Sequence, residues 1–153
     1  MANTYTQIYV QIVFTVRGRE NILPKQHREE LHKYISGIVS NHNQKLISIF
    51  AMPDHVHLLV GIKPNIAISD LVRDIKTSSS KFITDKKWVN GKFNWQEGFG
   101  AFSYSKSQIE KVVNYILNQE QHHRIKSFRD EYLELLNKFE IEYNTKYLFD
   151  WLD

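Results

Sequence analysis

The chain has 153 residues, of which 42% are hydrophobic and 24% charged, the size and balance of one globular unit with a substantial core. Lys plus Arg exceeds Asp plus Glu by 20 to 17, a net charge of +3 that is compatible with a polyanionic partner without demanding one. The absence of cysteine excludes disulfides, thiolate metal sites and a cysteine nucleophile. With no basic-then-apolar leader and no bilayer-length apolar run, the sequence reads as a cytoplasmic protein without a membrane segment.

From Tyr5 to Val16 the residues alternate. Ile8, Val10, Ile12, Phe14 and Val16 fall on one face and Gln7, Tyr9, Gln11 and Thr15 on the other, which predicts a long strand with one buried face. Arg17-Gly18-Arg19 breaks it. Pro24 stands where a helix begins, with a stripe of Leu31, Ile35, Ile38 and Val39 that ends near Asn41-His42-Asn43. Lys45 to Ala51 and Val56 to Ile62 read as two strands, joined at Pro53-Asp54 into an antiparallel hairpin. Ser69-Asp70 is placed to cap a second helix carrying Leu71, Val72, Ile75, Phe82 and Ile83. Asn90-Gly91 marks a turn, and Phe93 to Tyr104 reads as a fourth strand with an irregular, glycine-interrupted approach. Ser105 or Ser107 caps a third helix with Ile109, Val112, Val113, Ile116 and Leu117 on its apolar side. Tyr132, Leu133, Leu135, Leu136 and Phe139 outline a further helix before an aromatic, acidic tail, Phe149 to Asp153. The order β-α-β-β-α-β predicts an α+β fold, a ferredoxin-like or RRM-like antiparallel sheet with additional C-terminal helices, in a single domain spanning 1–153.

The chemistry concentrates in Met52-Pro53-Asp54-His55-Val56-His57-Leu58-Leu59-Val60. Side chains on a strand repeat every two residues, so His55 and His57 share one face while Val56 points to the other. Two imidazoles on a rigid strand are half of a metal site, or else a partly buried pair in a sheet. On the third helix Tyr115 and Gln119 are four apart and share a face, and His123 follows one turn later if the helix persists.

Together these residues resemble the single-tyrosine HUH transposases, the TnpA-like enzymes of small bacterial insertion sequences, which are related to the REP-associated tyrosine transposases. The resemblance runs through Met52 to Leu59, the aromatic segment Trp95 to Phe99, Tyr115 to Gln119 and the His122-His123 pair. It implies that His55, His57 and Gln119 hold one divalent cation, Mg²⁺ or Mn²⁺, in a site without a carboxylate. It also implies that Tyr115 attacks a phosphodiester of single-stranded, hairpin-bearing DNA, leaving a 5′-phosphotyrosine and a free 3′-hydroxyl that later rejoins a strand. Relatives of this kind act as homodimers in which the tyrosine helix of one subunit completes the histidine site of the other.

Softer expectations concern the DNA path. Arg17, Arg19, Lys76, Lys81, Lys86, Lys87 and Lys92 are candidates for backbone contacts, Ser78 to Ser80 for phosphate contacts and His123 for a position near the DNA. Gln11 is placed to support the histidine pair from the neighbouring strand. Two other readings compete. One is an RRM-like single-stranded nucleic-acid-binding module without catalysis, which needs exposed aromatics on the central strands. The other is a small zinc hydrolase using His55, His57 and another histidine, which needs a carboxylate as general base.

Overall fold

The computed structural model describes residues 3–19, 22–144, 146 and 148, so the expected tail from Phe149 to Asp153 lies outside the described residues. Four strands form one antiparallel sheet: β1 (Tyr9–Thr15), β2 (Lys45–Ala51), β3 (His55–Gly61) and β4 (Gly100–Tyr104). Their order is β2-β3-β1-β4, the ferredoxin-like arrangement expected, with β1 and β3 as central neighbours. Among the described residues five α-helices accompany it: α1 (Arg28–Asn41), α2 (Ile68–Asp85), α3 (Ile109–Leu117), α4 (Gln119–Ile125) and α5 (Phe128–Lys138).

The alternation in β1 is real, but both of its faces are buried. Val10, Ile12 and Phe14 join Val56, Leu58 and Val60 of β3 in a core roofed by Leu31, Ile35, Leu71 and Ile75 of α1 and α2. On the reverse face Gln11, Val13 and Thr15 are also inaccessible. There Val13 packs with Phe102, Phe128, Tyr132 and Leu136, and Leu59 packs with Val112 and Ile116. The expectation of a single buried face fails because the C-terminal helices lie on the second face and make a three-layer structure. The histidines therefore sit in a closed layer between the sheet and α3 to α5.

Two helix boundaries differ from the sequence reading. α2 begins at Ile68 with Ala67 as its extended N-cap residue, so Ser69-Asp70 lies within the first turn, where Asp70 complements the helix dipole. The third helix is interrupted. α3 ends at Leu117, Asn118 adopts φ −101° and ψ 24°, and α4 restarts at Gln119. Ser105 is the N-terminal cap of the turn that leads into α3, forming a reciprocal capping box with Gln108. Ser127 caps α5 by accepting from the Asp130 amide at 3.2 Å.

Candidate active site

Strand geometry puts His55 and His57 on the face covered by α3 to α5, opposite Thr15 and Val13 of β1. Each imidazole is oriented from behind. Nδ1 of His55 donates to Oδ1 of Asp54 at 2.7 Å, and Nδ1 of His57 donates to Oε1 of Gln11, also at 2.7 Å. Gln11 in turn donates through Nε2 to the Tyr104 hydroxyl at 2.8 Å, which fixes its amide orientation. With both Nδ1 atoms protonated, both Nε2 lone pairs face inward.

Gln119, wholly buried as the first residue of α4, completes one side. Its Nε2 donates to Oε2 of Glu131 at 3.1 Å, which turns Oε1 toward Nε2 of His55 at 3.2 Å. Glu131, on α5, is the residue that sequence reasoning missed. Its Oε1 lies 3.0 Å from Nε2 of His57 and 4.0 Å from Nε2 of His55. The Tyr115 hydroxyl donates to Oε2 of the same carboxylate. A signal for it existed: Glu131 stands three residues after Phe128 and four before Leu135, on the buried stripe of α5.

His123 joins the cluster from α4. Its Nδ1 donates to the Lys126 carbonyl at 2.9 Å, while Nε2 lies 3.0 Å from Oε1 of Gln119 and 3.3 Å from Oε1 of Glu131. With acceptors at both nitrogens it suits the imidazolium. Burial works against that charge, but the hydrogen bond and charge of Glu131 outweigh it and raise the His123 pKa. His57 moves the other way: burial lowers its pKa despite Glu131. Burial alone would raise the pKa of Glu131, yet His57, His123 and His55 hold it well below the ordinary carboxylate range. The Tyr115 phenol is pushed far above its usual value, first by burial and then by the charge of Glu131.

These donors fit a divalent cation. The inward lone pairs of His55, His57 and Glu131 lie within 4.8 Å of one another, and those of His57 and Glu131 face each other at 3.0 Å. That contact is a hydrogen bond when Nε2 of His57 carries a proton, and it suits a pair of ligands when a cation stands between them. A six-coordinate ion with bonds of about 2.1 Å separates adjacent ligand atoms by about 3 Å and opposite ones by about 4 Å. The observed 3.0, 3.2 and 4.0 Å separations fall on that scale.

The expected DNA-contacting residues are not gathered at this cluster. Lys76 and Lys81 belong to α2, across the sheet from the histidines. Lys76 donates to the carbonyls of Gln96 and Gly98 at 2.8 and 2.5 Å, clamping the 93–99 segment; its burial lowers its pKa to about 8. Lys81 pairs with Asp85 at 2.7 Å and Lys86 with Glu30 at 3.5 Å. Arg17, Lys87 and Lys92 are exposed, and the Arg19 side chain lies outside the described residues. Ser79 is spent inside α2, donating to Ile75 O and accepting from Trp95 Nε1 at 2.9 Å. Ser78 bonds Asp74, and Ser80 bonds the Thr77 carbonyl. Of the softer set, Gln11 and His123 are the two that the fold brings to the cluster.

The fold is that of the tyrosine transposases. It superposes on a REP-associated tyrosine transposase bound to a REP hairpin with a TM-score of 0.60 at 16% identity, covering 100% of this chain and 90% of the other. A candidate transposase from Deinococcus radiodurans R1 superposes with a TM-score of 0.61 at 21% identity, over 78% of this chain and 95% of that one. The sequence model of the IS200-like transposases matches residues 4–119, and the chain belongs to that family. The ISDra2 transposase TnpA of Deinococcus radiodurans is 26% identical over 120 residues, 74% of this chain and 84% of the relative. The family match ends at Gln119, so Tyr115 and Gln119 lie within it and Glu131 beyond it. Among the described residues no helix is long and apolar enough to cross a membrane.

Proposed function

We propose that this transposase is a metal-assisted tyrosine nuclease and strand transferase acting on single-stranded DNA with hairpin ends. The observation that carries the reading is the shared carboxylate: Glu131 contacts both the Tyr115 hydroxyl and His57. It links a nucleophile to a set of metal-type donors in one buried cluster. His55, His57, Gln119 and Glu131 would hold the ion, with Mg²⁺ or Mn²⁺ suited to the mixed imidazole, amide and carboxylate set. The bound ion would supply Lewis-acid polarisation of the scissile phosphate and charge neutralisation.

The rest falls to side chains. Glu131 Oε2 already accepts the Tyr115 hydrogen bond, so it is placed to take the phenolic proton. The Tyr115 oxygen bonds to phosphorus, the bond from phosphorus to the 3′ oxygen breaks, and that oxygen leaves as a hydroxyl after gaining a proton. The phosphotyrosine keeps the ester linkage, so a 3′-hydroxyl attacking it reverses the step and joins a strand without ATP. Asp54 and Gln11 act as positioning residues, holding the two imidazoles in the tautomer that ligates through Nε2.

All of these groups come from one chain. Within one chain Tyr115 and Gln119 meet Glu131 and the two histidines, and a homodimer exchanging α3 and α4 would assemble the same groups between subunits. The non-catalytic RRM-like alternative loses its platform, because Val13 and Phe102 on the second face of the sheet are buried under α5. The test is incubation with hairpin-bearing single-stranded oligonucleotides and Mn²⁺. A covalent adduct that disappears in Tyr115→Phe is expected; DNA binding with no adduct at any metal concentration would overturn the reading.

A further inference from the structure

A cavity of about 630 Å³ opens beside the nucleophile, between α3 and α5. Tyr115 and Glu131 form its inner wall, Tyr104, Val112 and Leu135 its sides, and Lys111 and Lys138 its outer part. That volume lies within the range, roughly 300–1,000 Å³, of sites that enclose one small organic ligand. Lys111 and Lys138 are exposed and make no ion pair among the described residues, whereas Lys126 on the same wall is tied to Glu134 at 2.5 Å. The cavity thus combines these two lysines at its mouth with an aromatic and aliphatic side wall and the Glu131 carboxylate at its base. Cations that track the backbone and a ring for the base are what a single-stranded nucleic acid requires of a binding surface.

We infer that this cavity takes one unpaired nucleotide flanking the phosphodiester that Tyr115 attacks. Its base lies against Tyr104, Val112 and Leu135, and its phosphate lies at Lys111 and Lys138. The inference rests on the strand-cleavage reading and gives it a subsite. Because the nucleophile forms the inner wall, a nucleotide seated there is one residue away from the reacting phosphate.

The test uses the full ¹⁵N-labelled chain, titrated separately with the four 5′-deoxynucleoside monophosphates and with inorganic phosphate, followed by amide shifts. Saturable shifts at Ser107, Lys111 and Lys138 are expected, with at least one nucleotide binding about fivefold or more tightly than phosphate. The exposed double variant Lys111→Glu/Lys138→Glu should keep the remaining spectrum and weaken the nucleotide at least fivefold. Equal responses to phosphate and nucleotides, no shifts at these amides, or indifference to the lysine variant would each overturn the inference. A chain that forms the Tyr115 adduct while its cavity ignores nucleotides retains the cleavage function and loses this subsite. A chain that binds nucleotides there and forms no adduct retains a nucleotide site and loses the cleavage reading.

Discussion

Glu131 on α5 reaches His57 on β3 at 3.0 Å, across 74 residues of sequence, and presents its other oxygen to the Tyr115 hydroxyl. One carboxylate thereby couples the donor cluster to the nucleophile. Its substitution separates metal binding from folding. Glu131→Gln keeps the volume and removes one anionic ligand, and Mn²⁺ affinity measured by calorimetry or electron paramagnetic resonance should fall at least tenfold, about 1.4 kcal/mol. An unchanged affinity would remove Glu131 from the ligand set.

The same variant should shift the nucleophile. Burial and the charge of Glu131 both favour the neutral phenol of Tyr115, so its pKa lies above the ordinary value. Removing the anion lowers that pKa. In metal-free protein, absorbance at 295 nm should show one tyrosine ionising at lower pH in Glu131→Gln than in the wild type. That step should be missing from Glu131→Gln/Tyr115→Phe. In the intact protein Glu131 is already ionised and takes the phenolic proton, so adduct formation should stay level as pH rises from 7 to 9; a steep rise over that window would remove Glu131 as the base.

The cis arrangement is tested by mixing inactive variants. Tyr115→Phe and His57→Ala each lack one half of the site. If each chain uses its own tyrosine, a mixture of the two stays inactive in the adduct assay. Exchange of α3 and α4 between subunits would restore a substantial fraction of activity in the same mixture.

Glu120 follows Gln119 and fastens α4 to the body of the protein. Its carboxylate meets Arg28 at 3.0 Å and Lys25 at 3.2 Å, and both cations hold its pKa below the usual carboxylate value. Arg28 is itself seated on the Phe50 ring and donates to the Ala51 carbonyl at 2.7 Å. A half-exposed pair of this kind contributes about 0–1 kcal/mol to stability. Glu120→Ala should therefore leave the melting temperature within a few degrees while slowing adduct formation roughly tenfold, because α4 carries Gln119 and His123. A fall in stability matching the loss of activity would indicate a structural role alone.

Gly100 opens β4 against α5. A Cβ at this position would stand 2.6 Å from the Tyr132 hydroxyl and 2.9 Å from its ring, and Tyr132 is a buried neighbour of Glu131. The rigid phenol must move, and α5 with it. Gly100→Ala should cost about 1–3 kcal/mol in denaturant unfolding and weaken Mn²⁺ binding as Glu131 shifts.

The amino-acid sequence by itself determined the sheet and its helices through hydrophobic period, and the shared face of His55 and His57 through the two-residue repeat of a strand. It also carried the family likeness, which rests on short local patterns at 52–59 and 115–119. Helical spacing placed Tyr115 and Gln119 on one continuous helix, whereas the chain breaks at Asn118 and still delivers both to the cluster. Local pattern does not report such a break, since the apolar periodicity runs up to it on one side only. What the tertiary structure alone decided is the carboxylate. Glu131 reaches the histidines because Phe128, Tyr132 and Leu136 bury themselves against Val13 and Phe102 on the second face of the sheet. That long-range packing carries a polar side chain inward among apolar ones, and no spacing between residues 57 and 131 encodes it.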